Sequence, residues 1–493
     1  MSDKNKIKFS EKLSHAFNKK WLYSGIQFIL LVAILIVGYY CLYVYLEDKN
    51  LPEIDITKNK IHTLSDSSKN VLSKIDSEVQ ILVYGYDDNN SIYELLRQYN
   101  KTNNLINYKK LTAEEDLTTI TQYNLSEGYY VLIVKTADGE KVIDGSEFTT
   151  VDYTIGQQVD ITEQVITNSI LSLIEKNKPV VYFTEGHKEY TDAELKTVKY
   201  FLNNEAFTVN TLNIDLSENG IPDDCTILAI IAPEDDFTDK EVDLIKQYIA
   251  KGGNIFFSTN VLSEEKKNRP NIQKILDEYG VTVENGFILE YADNKSPDNF
   301  PFVFAPELSS TNKITSDLYT DSAMSLVESA RLHFVDDENL HVERDILISS
   351  STESVFINDL NADSLANAAL SASTGVSDIA AQIEKTISED GENKVVSKLI
   401  VCSTSSFMTD LYSQYVSTTY PLSYIGCNKD FVINAMSYLG GKDNILTIRK
   451  DYAANSYLPT DEQNRIVLTI IFSVPLFIIV AGFIIWNYRN KRK

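Results

Sequence analysis

Cysteine is scarce in this chain: four in 493 residues, at Cys41, Cys225, Cys402 and Cys427. No two form a C-x-x-C pair, so neither a disulfide framework nor a zinc ribbon is indicated. None lies between Asp48 and Lys178, which excludes thioredoxin redox chemistry from that region whatever its fold. Histidine is almost as sparse. His15, His62, His187, His333 and His341 include no pair at helical metal-ligand spacing. The phosphate loop G-x-x-x-x-G-K-[ST] is absent too. The only Gly-Lys pair, Gly441-Lys442, is followed by Asp443, not by the hydroxyl that holds Mg²⁺. Any ATP hydrolysis connected with this chain therefore falls to another chain. No internal repeat is visible, and no cofactor or metal is expected.

Charge is missing from two long runs, and these set the expected location. Residues 21–46 and 466–488 contain no Asp, Glu, Lys or Arg. Each exceeds the ~20 residues needed to cross a hydrocarbon core of ~30 Å. Aromatics sit near their ends: Trp21, Tyr43 and Tyr45 on the first, Trp486 and Tyr488 on the second. Lys4, Lys6, Lys8, Lys12, Lys19 and Lys20 precede the first run, and Arg489, Lys491, Arg492 and Lys493 follow the second. The positive-inside rule then puts both termini in the cytoplasm and residues 47–465 outside it. A cleaved signal peptide is disfavoured, because the first run is too long and no small-x-small site follows it. The expected location is the bacterial plasma membrane, with membrane lipid as one partner.

The ends are basic and the middle is acidic. Residues 1–20 carry six Lys against two acids, and residues 489–493 carry four basic residues. Removing that +8 from the total of −25 leaves −33 for residues 47–465. Nucleic-acid binding needs a basic footprint and is not expected here.

What is present is a central stretch, residues 179–260, on which the rest is organised. Short apolar runs (PVVYFT, FTVNTLNI, CTILAIIA, NIFFSTN) alternate with helical-period segments (AELKTVKYFLNNEAF, EVDLIKQYIAKGG). That alternation is the pattern of βαβ units and a parallel sheet. Ligands and partners sit at the carboxyl ends of such strands. Here those ends carry Thr184-Glu185-Gly186-His187, Ala232-Pro233-Glu234-Asp235 and Ser258-Thr259-Asn260.

Before this stretch, TLSDSSKNVLSKI reads as a helix capped at Ser65 or Asp66. EVQILVYGY, LINYKKL and GYYVLIVKT read as strands, SIYELLRQYNK as a helix and DGEK as a hairpin turn. This pattern fits a thioredoxin-like layer. DITEQVITNSILSLIEKN reads as a helix leading into the centre. After it, VLSEEKKNRPNIQKILDEYG reads as helical around a break at Pro270. Residues 291–345 read as irregular, and residues 361–395 as a loop with a surface helix. VVSKLIVCSTSSFMTD reads as a strand and polar loop, DFVINAMSYLGG as a helix with a Gly cap, and NILTIRK as a last strand.

Several of these segments, in this order, resemble the gliding-motility-type auxiliary components of ABC transporters. The resemblance rests on Asp55-Ile56-Thr57, Thr63-Leu64-Ser65 and Glu163 in ITEQVITNSI. It continues in Gly186, His187 and Glu189 of VVYFTEGHKE, then Ala232-Pro233, Glu241, and Tyr248 to Gly252-Gly253. KLIVCSTSSF and DFVINAMSYLGG complete it. One departure is Thr404-Ser405, where that family often carries an acid before Ser-Phe. The resemblance implies an auxiliary subunit working with ABC-type ATPase and permease chains in trans.

The expected fold class is α/β: a two-span membrane protein with a large extracytoplasmic region, a thioredoxin-like layer and then a Rossmann-like parallel-sheet domain. The expected divisions are a cytoplasmic tail (1–20), a transmembrane helix (21–46), a small α/β domain (47–155), a Rossmann-like domain with insertions (156–450), a linker (451–465), a second transmembrane helix (466–488) and a cytoplasmic tail (489–493). Gly186, His187 and Glu189 are the candidate ligand- or partner-binding residues, and no catalytic residue is expected. A His two residues before a Glu could form an acid–base pair. Alternatively, Gly186 makes the strand-to-helix turn and His187 hydrogen-bonds a neighbouring loop. Cys402 follows a strand as a nucleophile elbow would, but CSTSS lacks the glycines such a turn needs. Two function classes follow. One is a non-enzymatic ABC subunit whose acidic ectodomain binds a partner or an envelope ligand. The other is a membrane-anchored envelope enzyme with a hydrolase- or amidotransferase-like sheet.

Overall fold

A computed structural model describes residues 63–442, apart from 153–156, 298–299, 319–323, 359–368, 370–371 and 391–392, together with residue 482. The apolar segments 21–46 and 466–488 lie outside the described residues but for Gly482, as does the expected strand NILTIRK. Among the described residues no helix is long and apolar enough to cross a membrane. The chain divides into Met1–Ile56 and Thr57–Lys493, and all elements below belong to the second unit.

The first layer begins with α1 (Asp66–Ser73), whose N-cap Ser65 accepts the Ser68 N–H on its Oγ at 3.0 Å. Then come β1 (Val79–Tyr84), α2 (Ser91–Thr102), β2 (Ile106–Lys110), α3 (Leu117–Gln122), β3 (Val131–Lys135) and β4 (Glu140–Asp144). The sheet order is β2-β1-β3-β4, with β1 and β2 parallel and the other pairs antiparallel. This is the region for which the thioredoxin-like layer is expected. A hairpin of β5 (Thr149–Asp152) and β6 (Gln157–Asp160) leads to α4 (Thr162–Ile174). Val79, Ile81 and Val83 alternate onto one face of β1 and pack against Leu72, Leu96, Tyr99, Ile166 and Ile170.

Two motifs of the resemblance, far apart in sequence, meet here. Glu163 is buried and its Oε1 accepts the Ser65 N–H at 2.7 Å and the Ser68 hydroxyl at 2.6 Å. The carboxylate ties the start of α1 to the start of α4.

The second layer opens with β7 (Val180–Thr184), α5 (Lys196–Asn204), β8 (Thr208–Leu212), β9 (Ile227–Ile231), α6 (Asp239–Ala250) and β10 (Asn254–Ser258). A long excursion follows: α7 (Pro270–Leu276), β11 (Val281–Glu284), β12 (Phe287–Leu289), β13 (Val303–Phe304), β14 (Glu307–Leu308), β15 (Leu326–Val327), β16 (Arg331–Phe334), β17 (Val342–Ser349), β18 (Val355–Ile357) and β19 (Asp378–Asp390). The chain returns in β20 (Asn393–Cys402) and closes the described region with α8 (Asn428–Leu439).

The ten-stranded sheet runs β11-β16-β19-β20-β10-β9-β7-β8, with β17 pairing β19 and β14 pairing β17. Strands β8, β7, β9, β10 and β20 are mutually parallel, while β19, β16, β11 and β17 each pair antiparallel with their neighbours. The expected parallel sheet is thus corrected to a mixed one, with a parallel half and an antiparallel extension. Strand β9 shows why this half is central. Its five residues, ILAII, are all buried, as a strand covered on both faces requires. Ile227, Ala229 and Ile231 pack with Val198 and Leu202 of α5 and with Val432 and Met436 of α8. Leu228 and Ile230 pack with Val242 and Ile245 of α6 and with Ile272 and Ile275 of α7.

Three local expectations are corrected. Residues 378–390, expected in a loop or surface helix, form the longest strand of the sheet. Ala380, Ala381 and Ile383 are buried there, and pairing to both β17 and β20 holds the segment extended. Pro270 does not break a helix: it is the first residue of α7, where its missing N–H costs nothing. The irregular stretch 291–345 carries the short strands β13 to β16 and the start of β17.

Candidate functional site at the switch point of the sheet

Numbered within the parallel half, β8-β7-β9-β10-β20 has the order 2-1-3-4-5. Helix α5 lies on one face and α6 on the other. The chain therefore changes direction between β7 and β9, and the crevice outside their carboxyl ends is the switch point. The loops that leave these two strands meet there.

The loop after β7 turns on Gly186, at φ +123°, and Lys188, at φ +59°. A Cβ on Gly186 would lie 2.9 Å from the Asn213 amide nitrogen, so both conformation and space call for glycine. The His187 carbonyl accepts the Glu234 N–H at 2.9 Å and the Asp235 N–H at 3.0 Å, which joins this loop to the one after β9. The His187 N–H donates to Glu189 Oε2 at 2.6 Å.

The imidazole is enclosed. Its Nε2 lies 3.2 Å from Glu241 Oε2, and its Nδ1 lies 3.7 Å from Glu189 Oε1, an ion-pair distance beyond hydrogen-bond reach. Both carboxylates are buried, and the Phe237 ring meets the imidazole edge-on at 4.5 Å. Glu241 is itself fixed by the α6 capping box, where the Thr238 N–H and Oγ–H both donate to Oε2 at 2.8 Å. Burial alone would lower the His187 pKa. The two carboxylates, with Asp235 further off, outweigh it, so the net shift is upward. For Glu189, burial raises the pKa, but the facing His187 imidazole and the backbone N–H bonds to its carboxylate outweigh it and the net shift is downward. The arrangement favours a charged imidazolium clamped between two anions.

Cations complete the rim. Lys188 pairs with Asp235 at 2.9 Å, and Lys266 pairs with Glu234 at 2.9 Å and Asp235 at 3.0 Å. Arg269 donates to the Pro233 carbonyl and, at 2.8 Å, to Thr259 Oγ1, linking the ends of β9 and β10. Burial lowers the Arg269 pKa to about 10.

Beyond β10 and β20 the strand ends are packed with hydroxyls. Ser405 Oγ–H donates to Ser258 Oγ at 2.9 Å, and the Ser405 N–H donates to Asn260 Oδ1 at 3.0 Å. Asn260 Nδ2 reaches the Tyr190 hydroxyl at 2.9 Å. Thr404 and Ser405, which stand where the resembled family often has an acid, are buried and hydrogen-bonded without charge. Cys402 is fully buried, and burial pushes its thiol well above the ordinary value, so the thiolate nucleophile does not form there.

Gly186, His187 and Glu189 thus form one loop at the switch point. Glu241, 54 positions beyond His187 in the chain, is the partner that sequence spacing does not reveal. Its signal was the capping pattern Thr238-x-x-Glu241, which marks a helix start and says nothing of a histidine above it.

Residues 178–435 match the profile of a family described as ABC-type uncharacterized transport system. A protein of Borreliella burgdorferi, described as uncharacterized, is 20% identical over 90% of this chain and 94% of its own length. Among solved structures, the mmIFT52 N-terminal domain is similar at a TM-score of 0.38 and 16% identity, over 54% of this chain and 99% of that domain. A ThuA-like protein from Parabacteroides merdae gives 0.29 and 12% over 54% and 91% of the two chains. A glutamine amido transferase from Methylobacillus flagellatus gives 0.20 and 17% over 32% and 57%. Scores this low carry no argument about function.

Proposed function

This chain belongs to the family of ABC-type uncharacterized transport systems, and from that premise we propose that it is a non-enzymatic auxiliary membrane subunit of the gliding-motility type. In this reading segments 21–46 and 466–488 cross the plasma membrane, both termini are cytoplasmic, and the acidic region 47–465 binds a partner or an envelope ligand. ATPase and permease chains act in trans, because the sequence carries no phosphate loop.

The observation that carries the non-enzymatic part is the enclosure of His187. A general base must reach the proton it takes from substrate. Here one ring nitrogen faces Glu241, the other faces Glu189, and Phe237 covers an edge. The side chain is 12% exposed. The imidazole joins two loops and α6, which suits a strut under a docking surface. The test is copurification of the intact protein from detergent. His187→Ala should leave the protein folded and lower recovery of the ATPase chain. Full recovery of that chain, together with loss of a measurable hydrolytic activity, would favour the envelope enzyme instead.

A further inference from the structure

We propose that the crest beside the switch point carries a docking groove for a cationic peptide segment, rich in lysine or arginine, of a partner protein. The inference rests on the reading of the ectodomain as a partner-binding module and names the chemistry of that partner.

The groove is built where β13 and β15 pair as Val303↔Val327 and Phe304↔Leu326. The next position outward brings Glu328 beside Phe302, with the Glu328 N–H donating to the Phe302 carbonyl at 2.9 Å. Phe302 meets Tyr415 edge-on at 5.1 Å, and Phe300 lies 6.0 Å from Phe302 and 4.9 Å from Tyr415. These three rings come from two separate loops. Phe300 and Tyr415 are each more than a third exposed, and Tyr412 on the same loop is 62% exposed. Exposed aromatics gathered from separate loops are the usual anchors of protein interfaces.

Glu328 supplies the charge. It holds φ +53°, a backbone conformation that L side chains adopt only at a cost. It is exposed, and partial desolvation by its neighbours raises its carboxyl above the ordinary value. Its carboxylate makes no side-chain hydrogen bond or ion pair among the described residues. Tyr190, packed over the strand ends, has its hydroxyl pKa raised chiefly by burial and further by Glu194, Glu328 and Glu234. Glu194 is engaged by Thr191, and Glu234 by Lys266. Glu328, unlike these two, is an uncommitted carboxylate on this face among the described residues.

A carboxylate beside aromatic faces selects an ammonium or guanidinium group through charge and the ring quadrupole. The excess of −33 over residues 47–465 adds steering toward a cationic partner. The nearby cations Lys188, Lys266 and Arg269 are already bound to Asp235, Glu234 and the Pro233 carbonyl, so they leave the groove anionic.

The test uses the intact protein in detergent and a fluorescein-labelled peptide of six lysines, followed by anisotropy at fixed salt. Glu328→Gln, Phe300→Ala and Tyr415→Ala should each weaken binding at least fivefold. Asp337→Asn, an equally anionic exposed site elsewhere, should change it less than twofold. Glu328→Gln is isosteric and exposed, so it keeps the fold. Equal losses at Asp337 and Glu328 would reduce the effect to general charge and overturn the groove. Binding of a neutral tetrasaccharide of N-acetylglucosamine, sensitive to Tyr415→Ala but not to Glu328→Gln, would overturn it in favour of a glycan site. Recovery of ATPase and permease chains with the wild-type protein is scored separately. If they are recovered while peptide selectivity is lost, the groove alone fails. If they are never recovered, the subunit reading fails, and the peptide titration still decides the groove.

Discussion

At the scale of single residues, the switch-point loop is held by two demands that differ in kind. Gly186 is a backbone demand. Gly186→Val places a branched side chain at φ +123° and 2.9 Å from the Asn213 amide. It should destabilise the protein by at least ~1–2 kcal/mol, visible as a lower denaturation midpoint; an unchanged midpoint would show that the loop relaxes freely. His187 is an electrostatic demand, and its sign can be worked out. Its folded pKa is raised, so its stabilisation is complete below the unfolded value of roughly 6.5 and is lost as pH rises through the folded value. The Glu189 pKa is lowered, so its stabilisation is present above the unfolded value of roughly 4.3 and is lost as pH falls through the folded value. Between those two values the clamp is complete. The stability gap between wild type and His187→Gln should be widest near pH 5–6, on the order of 1–2 kcal/mol, and smaller at pH 8.5. Denaturant midpoints at the two pH values check this, and a gap that widens at high pH would contradict it. Gly186, His187 and Glu189 were readable because they lie within four positions of one another. The Glu241 contact was not readable, because only the parallel pairing of β7 with β9 brings α6 beneath the histidine.

At the scale of elements, α6 carries the site. Thr238 caps it, and its hydroxyl also holds the Glu241 carboxylate toward His187. Thr238→Ala should cost ~1 kcal/mol through the lost cap. It should also bring the His187 titration, followed by NMR, closer to the ordinary value. A titration that does not move would mean that backbone packing alone positions Glu241. Elements with their own period were legible in sequence. ILAII reads as a buried strand from its unbroken apolar run, and α5 and α6 read as helices from their apolar spacing. Strand β19 was not legible. Its stretch DIAAQIEKTISED mixes small, polar and charged residues, and its extended form is imposed by β17 on one side and β20 on the other. The expected break at Pro270 fails for a related reason, since proline ends one helix and begins another with the same residue.

At the scale of the whole molecule, topology is the first quantity to measure. In a background lacking the four cysteines, a cysteine at Ser91, exposed at the start of α2, should react with an impermeant reagent in intact cells. One at Ser14 should not, and labelling there would sink the two-span reading. Cys225, Cys402 and Cys427 are buried, so their replacement calls for small apolar residues to preserve packing. The order of the large sheet also has a consequence for synthesis. Strand β10 is finished at Ser258, yet its other parallel neighbour, β20, begins only at Asn393. While the ribosome translates the excursion between them, one edge of a hydrophobic half-sheet stands open to any passing strand. A nascent chain in this interval is therefore the species most in need of a holdase. A stop codon placed just before β20 should yield aggregates where one placed after α8 yields folded protein.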